Sequence, residues 1–510
     1  VKKLPNIIIF NPDCFRGDAL GHMGNPAAIT PNFDELVSKD GVSFQNAFSQ
    51  SPVCTPSRCS FMTGWYPHVK GHRSMHHMLR KDEPNLLKTL KEMGYYVWWG
   101  GKNDLIPGQD SWESHVDKHH KPGKDVKELG GVENVRKERG EVGSKHYYAH
   151  YGGKIDKGKD GYYNDSDWDN VNSAIEFINS APEDKPFCIY LSLTYPHPFF
   201  AVEEPWFSLI DRKKVPPRIL TPEDWSSKPV RFKEHIKNRN IEDLDEEFWT
   251  ELRATYYGMC SRIDHQFGLL LKSLKENDIY DDTAVFAFSD HGIFAGDYGI
   301  PDVVQNLFQD SVTRVPFIVK PPRSIKVKPG IRQALVELID FPATVEDILG
   351  IKPEHTHFGK SLVSIIKGET DIHKDAVFCE GGRLYDEKHA YGAYRFENKH
   401  EPKEEFAWWP TYLEERSDPG PTIGVMVRNH KYKYIMRLYE DDELYDLSVD
   451  PQENNNLIDD SSKADVLSEM KDRLLKFYLE TGSVVPHDLD DRFFKDSYNN
   501  NYKGRKFNYK

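Results

Sequence analysis

The chain has 510 residues, 38% hydrophobic and 13% aromatic, which is ample for a large core and allows two to four domains. Its 81 acidic against 67 basic residues give a net charge of -14, which disfavours both nucleic-acid binding by counterion release and a grip on a long polyanion. A small anion drawn into a local positive pocket stays compatible with that balance.

Asn6-Ile7-Ile8-Ile9-Phe10 is a short apolar run of the kind that forms a buried parallel strand, and it ends in Asn11-Pro12-Asp13. Strand ends are where α/β sheets build their sites, which makes Asp13 a candidate ligand for a hard cation. Cys54-Thr55-Pro56-Ser57-Arg58 comes next. Pro56 suits the first helical position and Thr55 an N-cap, so Cys54 is expected just ahead of a helix N-terminus, a natural anion site. Arg58 follows by four residues, about one turn, and returns to the same face as a forked donor for a tetrahedral oxyanion. A cysteine so placed is expected to have a lowered pKa, while Cys59 reads as a buried structural thiol. Between Trp65 and Arg80, Lys70 joins His68, His72, Arg73, His76 and His77 in a basic cluster that is unusual in so acidic a chain.

A helix from Asn85 to Met93 leads into the strand Tyr95-Tyr96-Val97-Trp98-Trp99, which ends in Gly100-Gly101-Lys102-Asn103-Asp104. Residues 110 to 163, rich in Lys, Gly, His and Asp, read as an excursion from the core. A helix over Ser166 to Asn179 precedes the strand Phe187 to Leu193 and its ending Thr194-Tyr195-Pro196-His197-Pro198. Charged, Pro-containing loops fill 201 to 246, and Phe248 to Asn277 is a long amphipathic helix. The apolar strand Thr283 to Phe288 delivers Ser289-Asp290-His291-Gly292. Phe317-Ile318-Val319 is a further strand, followed by a helix over Gln333 to Leu349. Strand-like segments near Ala376 to Glu380, Thr422 to Arg428 and Lys433 to Leu438, with a helix over Ala464 to Thr481, make a small α+β domain before a polar, aromatic tail.

Cys54-Thr55-Pro56-Ser57-Arg58 matches the signature Cys-x-Pro-x-Arg, and from Asn6 to Leu457 the chain resembles the formylglycine-dependent sulfatases of the alkaline-phosphatase-like superfamily. Glu443-Leu444-Tyr445-Asp446-Leu447, followed by Asp450-Pro451 and Asn456-Leu457, is similar to the family's C-terminal pattern. The resemblance implies an α/β fold: a large domain over 1–370 on a mixed, mostly parallel sheet flanked by helices, a smaller α+β domain with an antiparallel sheet over 371–485, and a tail over 486–510. It implies that a formylglycine-generating or anaerobic sulfatase-maturating enzyme converts Cys54 to formylglycine. One hydroxyl of the hydrated aldehyde then attacks sulfur and the other later expels sulfate. One calcium ion per chain is implied, held by Asp13, the modified Cys54, Asp290 and His291. Arg58 and Lys102 would offset charge, and His197, in a Pro-His-x-Pro type of ending, would protonate the leaving group. Lys70 and His72 fall near anion-contacting positions of relatives. Three positions depart from the family pattern. Cys14 replaces a second calcium-binding aspartate, Asp104 stands where a histidine contacts the formylglycine, and Gln305 is nearest to a missing sulfate-binding lysine.

The resemblance and the acidic total together point to an exo-acting enzyme on a small sulfated carbohydrate, one sulfate per binding event. Trp65, Trp98, Trp99, Trp408 and Trp409 are candidates for stacking on sugar rings. Two rivals share the resemblance: a phosphonate monoester or phosphodiester hydrolase, and a sulfated-glycan binding protein that has lost turnover. The six cysteines, at 14, 54, 59, 188, 260 and 379, lack paired-zinc spacing and are too sparse for a disulfide scaffold, so reduced thiols are expected. No apolar run approaches the roughly 18 residues of a membrane span, and no signal-peptide core precedes the first strand. A cytoplasmic protein is expected, or a periplasmic or secreted one if a signal has been removed.

Overall fold

The computed structural model describes residues 4–124, 126, 144–156, 164–220, 225–239, 241–390 and 422–487. In chain order its strands are β1 (Asn6–Asn11), β2 (Val42–Phe48), β3 (Tyr96–Gly101), β4 (Lys118–His119), β5 (Tyr151–Ile155), β6 (Phe187–Ser192), β7 (Phe200–Glu203), β8 (Thr283–Phe288), β9 (Phe317–Lys320), β10 (Gly330–Glu337), β11 (Val377–Gly381), β12 (Gly424–Arg428), β13 (Tyr432–Arg437) and β14 (Glu443–Asp446). Eight of them form the main sheet in the order β10-β2-β9-β8-β1-β6-β3-β4. Neighbours are parallel except where β9 runs antiparallel to β2 and β8.

The apolar run of β1 is continuous because the sheet is covered on both faces. Ile8 and Phe10 point into one buried layer, with Phe33 and Phe267 from the helices Pro31–Lys39 and Glu246–Glu276. Ile7 and Ile9 point into the other, with Phe61, Leu87 and Phe341 from the helices Cys54–Thr63, Leu86–Glu92 and Asp340–Leu349. The helix Ser166–Asn179 and strand β8 have the bounds their patterns predict.

The expected helix over Gln333 to Leu349 is a correction. Residues through Glu337 belong to β10, which pairs in parallel with β2, and the helix starts only at Asp340. The helix-forming residues Ala334 and Leu335 yield to a ladder whose partner lies almost 290 residues earlier, and β2 was not among the expected strands. The stretch 201–246 also holds more order than expected, including β7 and a helix over Val230–Arg239. Within 110–163, β5 pairs with β7 beside the main sheet.

The second sheet has the order β11-β12-β13-β14 and is antiparallel throughout. Its helix, Ala464–Thr481, lies on one face, where Phe477 stacks on Phe378 with centroids 4.0 Å apart. Tyr66 and Ile339 of the large unit join that cluster and lock the two sheets together. Among the described residues no helix is long and apolar enough to cross a membrane. All six cysteines are free and buried.

Candidate active site

Strands β8, β1, β6 and β3 are adjacent and parallel, so their C-terminal ends open on one edge of the sheet. Asp290 and His291 follow β8, Asp13 follows β1, His197 follows β6, and Lys102 and Asp104 follow β3. Gly101 turns at φ +103, and a Cβ there would lie 1.9 Å from Ser192 O. Only glycine therefore lets the chain pass against β6 and present Lys102, whose backbone N donates to the same oxygen at 2.7 Å. The loop carrying His197 is anchored by Asp167, which accepts from Thr194 N at 2.9 Å and Tyr195 N at 2.8 Å.

Cys54 is the first residue of the helix Cys54–Thr63, every residue of which is buried. The cap is Val53 rather than Thr55, whose hydroxyl donates to Met75 O at 3.3 Å. Pro56 thus sits third in the helix, still within the first turn where its missing N–H has no intrahelical partner to lose. The Cys54 Sγ lies 3.5 Å from Asp13 Oδ2, 3.1 Å from His291 Nε2 and 3.3 Å from Lys102 Nζ. A lowered thiol pKa was expected, and the opposite holds. Burial, reinforced by the Asp13 carboxylate, pushes the Cys54 thiol well up, and Lys102 offsets this only in part.

Arg58 is fully buried and every guanidinium nitrogen is taken by the protein. Nε donates to Asp290 Oδ2 at 2.9 Å, Nη2 reaches Asp13 Oδ2 at 3.0 Å, and Nη1 is held by Asn11 Oδ1 at 3.1 Å, Tyr190 OH at 3.3 Å and Ser192 Oγ. The fork expected to face an incoming oxyanion instead clamps two carboxylates that would otherwise repel. Asn11, Tyr190 and Ser192 were not anticipated in this role. Only Asn11, a polar residue closing an apolar run, left a sequence signal.

Burial alone would raise the Asp13 pKa, but the Lys102 ammonium and the Arg58 guanidinium more than offset it and hold the carboxyl well below its usual range. Burial likewise disfavours the Lys102 ammonium, yet Asp104 at 2.9 Å and Asp13 at 2.6 Å keep its pKa well above normal. Ligand atoms from Asp13, Cys54, Asp290 and His291 lie within 4.8 Å of one another. His291 Nδ1 faces Gly292 O at 2.8 Å, and because a carbonyl only accepts, that nitrogen carries the hydrogen and Nε2 turns its lone pair toward Cys54 and Asp13. Two carboxylates and a pre-oriented imidazole fit a divalent cation.

His197 is half-buried, with Nδ1 against Pro198 O at 2.6 Å, and it groups with Asp13 and Cys14. Asp104 joins the centre through Lys102 and lies 3.9 Å from Arg58 Nε. Three other anticipated residues take their contacts elsewhere. Lys70 Nζ sits 5.7 Å from the Trp65 ring centroid, His72 pairs with Glu83 at 2.9 Å, and Gln305 Nε2 donates to Arg73 O at 2.8 Å. Trp65, Trp98 and Trp99 are buried and belong to the core rather than to a sugar platform. Trp408 and Trp409 lie outside the described residues.

A family model described as Sulfatase matches residues 5–351. An arylsulfatase of Clostridium perfringens is 24% identical over 505 residues, covering 92% of this chain and 94% of that protein. Among solved structures, the phosphonate monoester hydrolase of Agrobacterium radiobacter shares the fold with a TM-score of 0.71 and 21% identity, over 94% of this chain and 96% of that one. A 2-O GAG sulfatase does so with a TM-score of 0.69 and 22% identity, over 94% and 93%. The family match spans well over half of the chain and includes every residue gathered around Cys54: the chain belongs to the sulfatase family and is a sulfuric ester hydrolase.

Proposed function

We propose that this chain hydrolyses sulfate monoesters of small carbohydrates with residue 54, matured to formylglycine, as the nucleophile. The observation that carries the reading is the convergence of three strand ends on the Cys54 Sγ, with Asp13 at 3.5 Å, Lys102 at 3.3 Å and His291 at 3.1 Å. Formylglycine supplies a hydrated aldehyde, one hydroxyl to bond sulfur and the other to release it. A calcium ion bound by Asp13, Asp290, His291 and residue 54 supplies Lewis-acid polarisation. Arg58 holds the two carboxylates in register for that ion. Lys102 places an ammonium beside the nucleophile, where negative charge builds during sulfuryl transfer. His197 keeps its Nδ1 hydrogen on Pro198 O, which leaves Nε2 to carry a proton to the leaving oxygen.

A carbohydrate ester is supported by the acidic total, which disfavours a long polyanion, and by the fold shared with a 2-O GAG sulfatase. Cys14 stands where the resemblance places an aspartate that the rival hydrolases often lack, and it keeps open one second reading, a phosphonate monoester or phosphodiester hydrolase. Parallel kcat/KM measurements on an aryl sulfate and an aryl phosphonate monoester separate the two. A preference for the phosphonate of more than about 100-fold, roughly 2.7 kcal/mol in the transition state, would replace the sulfatase reading.

A further inference from the structure

We propose that Asp13, Cys14 and His197 form a second metal site, selective for a thiophilic divalent ion such as zinc, which shares the Asp13 carboxylate with the hard-cation site. One ligand atom from each of the three lies within 4.8 Å of the others. The donor set is a carboxylate, a sulfur and an imidazole, which suits zinc with one position left open and suits calcium poorly.

Three features prepare the set. Cys14 adopts φ +64, the left-handed turn that few non-glycine residues enter, and its sulfur is fully buried beside Asp13. His291 Nδ1 lies 3.8 Å from Cys14 Sγ with its hydrogen directed to Gly292 O at 2.8 Å, so the ring packs against the sulfur without donating to it. His197 already spends its Nδ1 hydrogen on Pro198 O at 2.6 Å, so Nε2 is the nitrogen with a lone pair to give. A dication binds Cys14 as the thiolate, with the thiol proton released to solvent.

The catalytic consequence rests on the role proposed for His197. An ion on Nε2 competes with the proton destined for the leaving group, so zinc acts as an inhibitor that calcium cannot mimic.

Cobalt(II) is the probe, because a cobalt–thiolate bond gives an intense near-ultraviolet charge-transfer band. The Cys54→Ala chain, which lacks the nucleophile's thiol, is titrated with cobalt in saturating calcium. The expected result is one such band, saturating near one cobalt and one proton released per chain. Adding Cys14→Ser removes the band, and adding His197→Ala instead weakens binding by roughly tenfold or more. In matured enzyme, zinc inhibits the parent and spares Cys14→Ser. A folded Cys54→Ala chain without the band, or a band that survives Cys14→Ser, overturns the site. The cobalt readout stands whether or not the sulfatase reading holds, so the two fail separately.

Discussion

Arg58 and Asp290 meet in a buried fork, with Nε at 2.9 Å and Nη2 at 2.8 Å from the same Oδ2, while Nη2 also reaches Asp13 at 3.0 Å. One guanidinium thus sets the spacing of two carboxylates delivered by different strands. Removing one partner of a buried, hydrogen-bonded charge network costs about 3–5 kcal/mol. Arg58→Met should therefore lower stability by about that amount, and Arg58→Lys, a point charge without the fork, should keep the fold but weaken calcium binding. Chemical denaturation and calorimetric calcium titration measure the two effects. Unchanged calcium affinity in Arg58→Lys would show that the clamp has no bearing on the ion.

Cys54 is expected to be converted to formylglycine when the chain is co-expressed with a maturation enzyme, and both Cys54→Ala and Cys54→Ser should be inactive. Serine retains one hydroxyl but has no second one to expel sulfate. Peptide mass spectrometry reports the conversion. Full turnover by protein whose residue-54 peptide carries only a thiol rules out the proposed nucleophile.

The cation is expected to be essential, with calcium preferred at a site of two carboxylates and one imidazole. Exhaustive chelation should abolish turnover, and calcium should restore it. Asp290→Asn removes one ligand charge and should raise the calcium requirement. Metal-free protein, verified by elemental analysis, that retains its rate would refute the requirement.

His197→Ala should cost about 100- to 10,000-fold on esters of poorly acidic alcohols such as sugars, the usual range for a general acid. An activated aryl sulfate needs little protonation and should lose far less. Comparing kcat on the two ester types is the measurement. Equal losses would assign His197 to binding.

Exo-action predicts highest activity on mono- and disaccharide sulfates, a steep fall with chain length, and shallow salt dependence because few charges are engaged. Product analysis on a defined sulfated oligosaccharide tests this. Early release of internal sulfate with the ends untouched contradicts it.

Much of the site was legible before any fold, because its parts are local. Each contributing strand is a short apolar run that stops at polar residues: Asp13 after β1, Lys102 after β3, His197 after β6, and Asp290 with His291 after β8. Period and strand length determine that much without knowledge of neighbours. Only the tertiary structure put these four strands side by side, since strand order depends on pairings across about 90 to 280 residues. It also inverted two local expectations. A helix N-terminus by itself lowers a thiol pKa, but at Cys54 full burial beside Asp13 dominates. Helical spacing aims Arg58 at the site, but its partners are carboxylates, an amide and hydroxyls from other strands, which no window around Cys54 contains. Ala334-Leu335-Val336 became a strand for the same reason: β2, far away in sequence, offered a ladder worth more than local helix propensity.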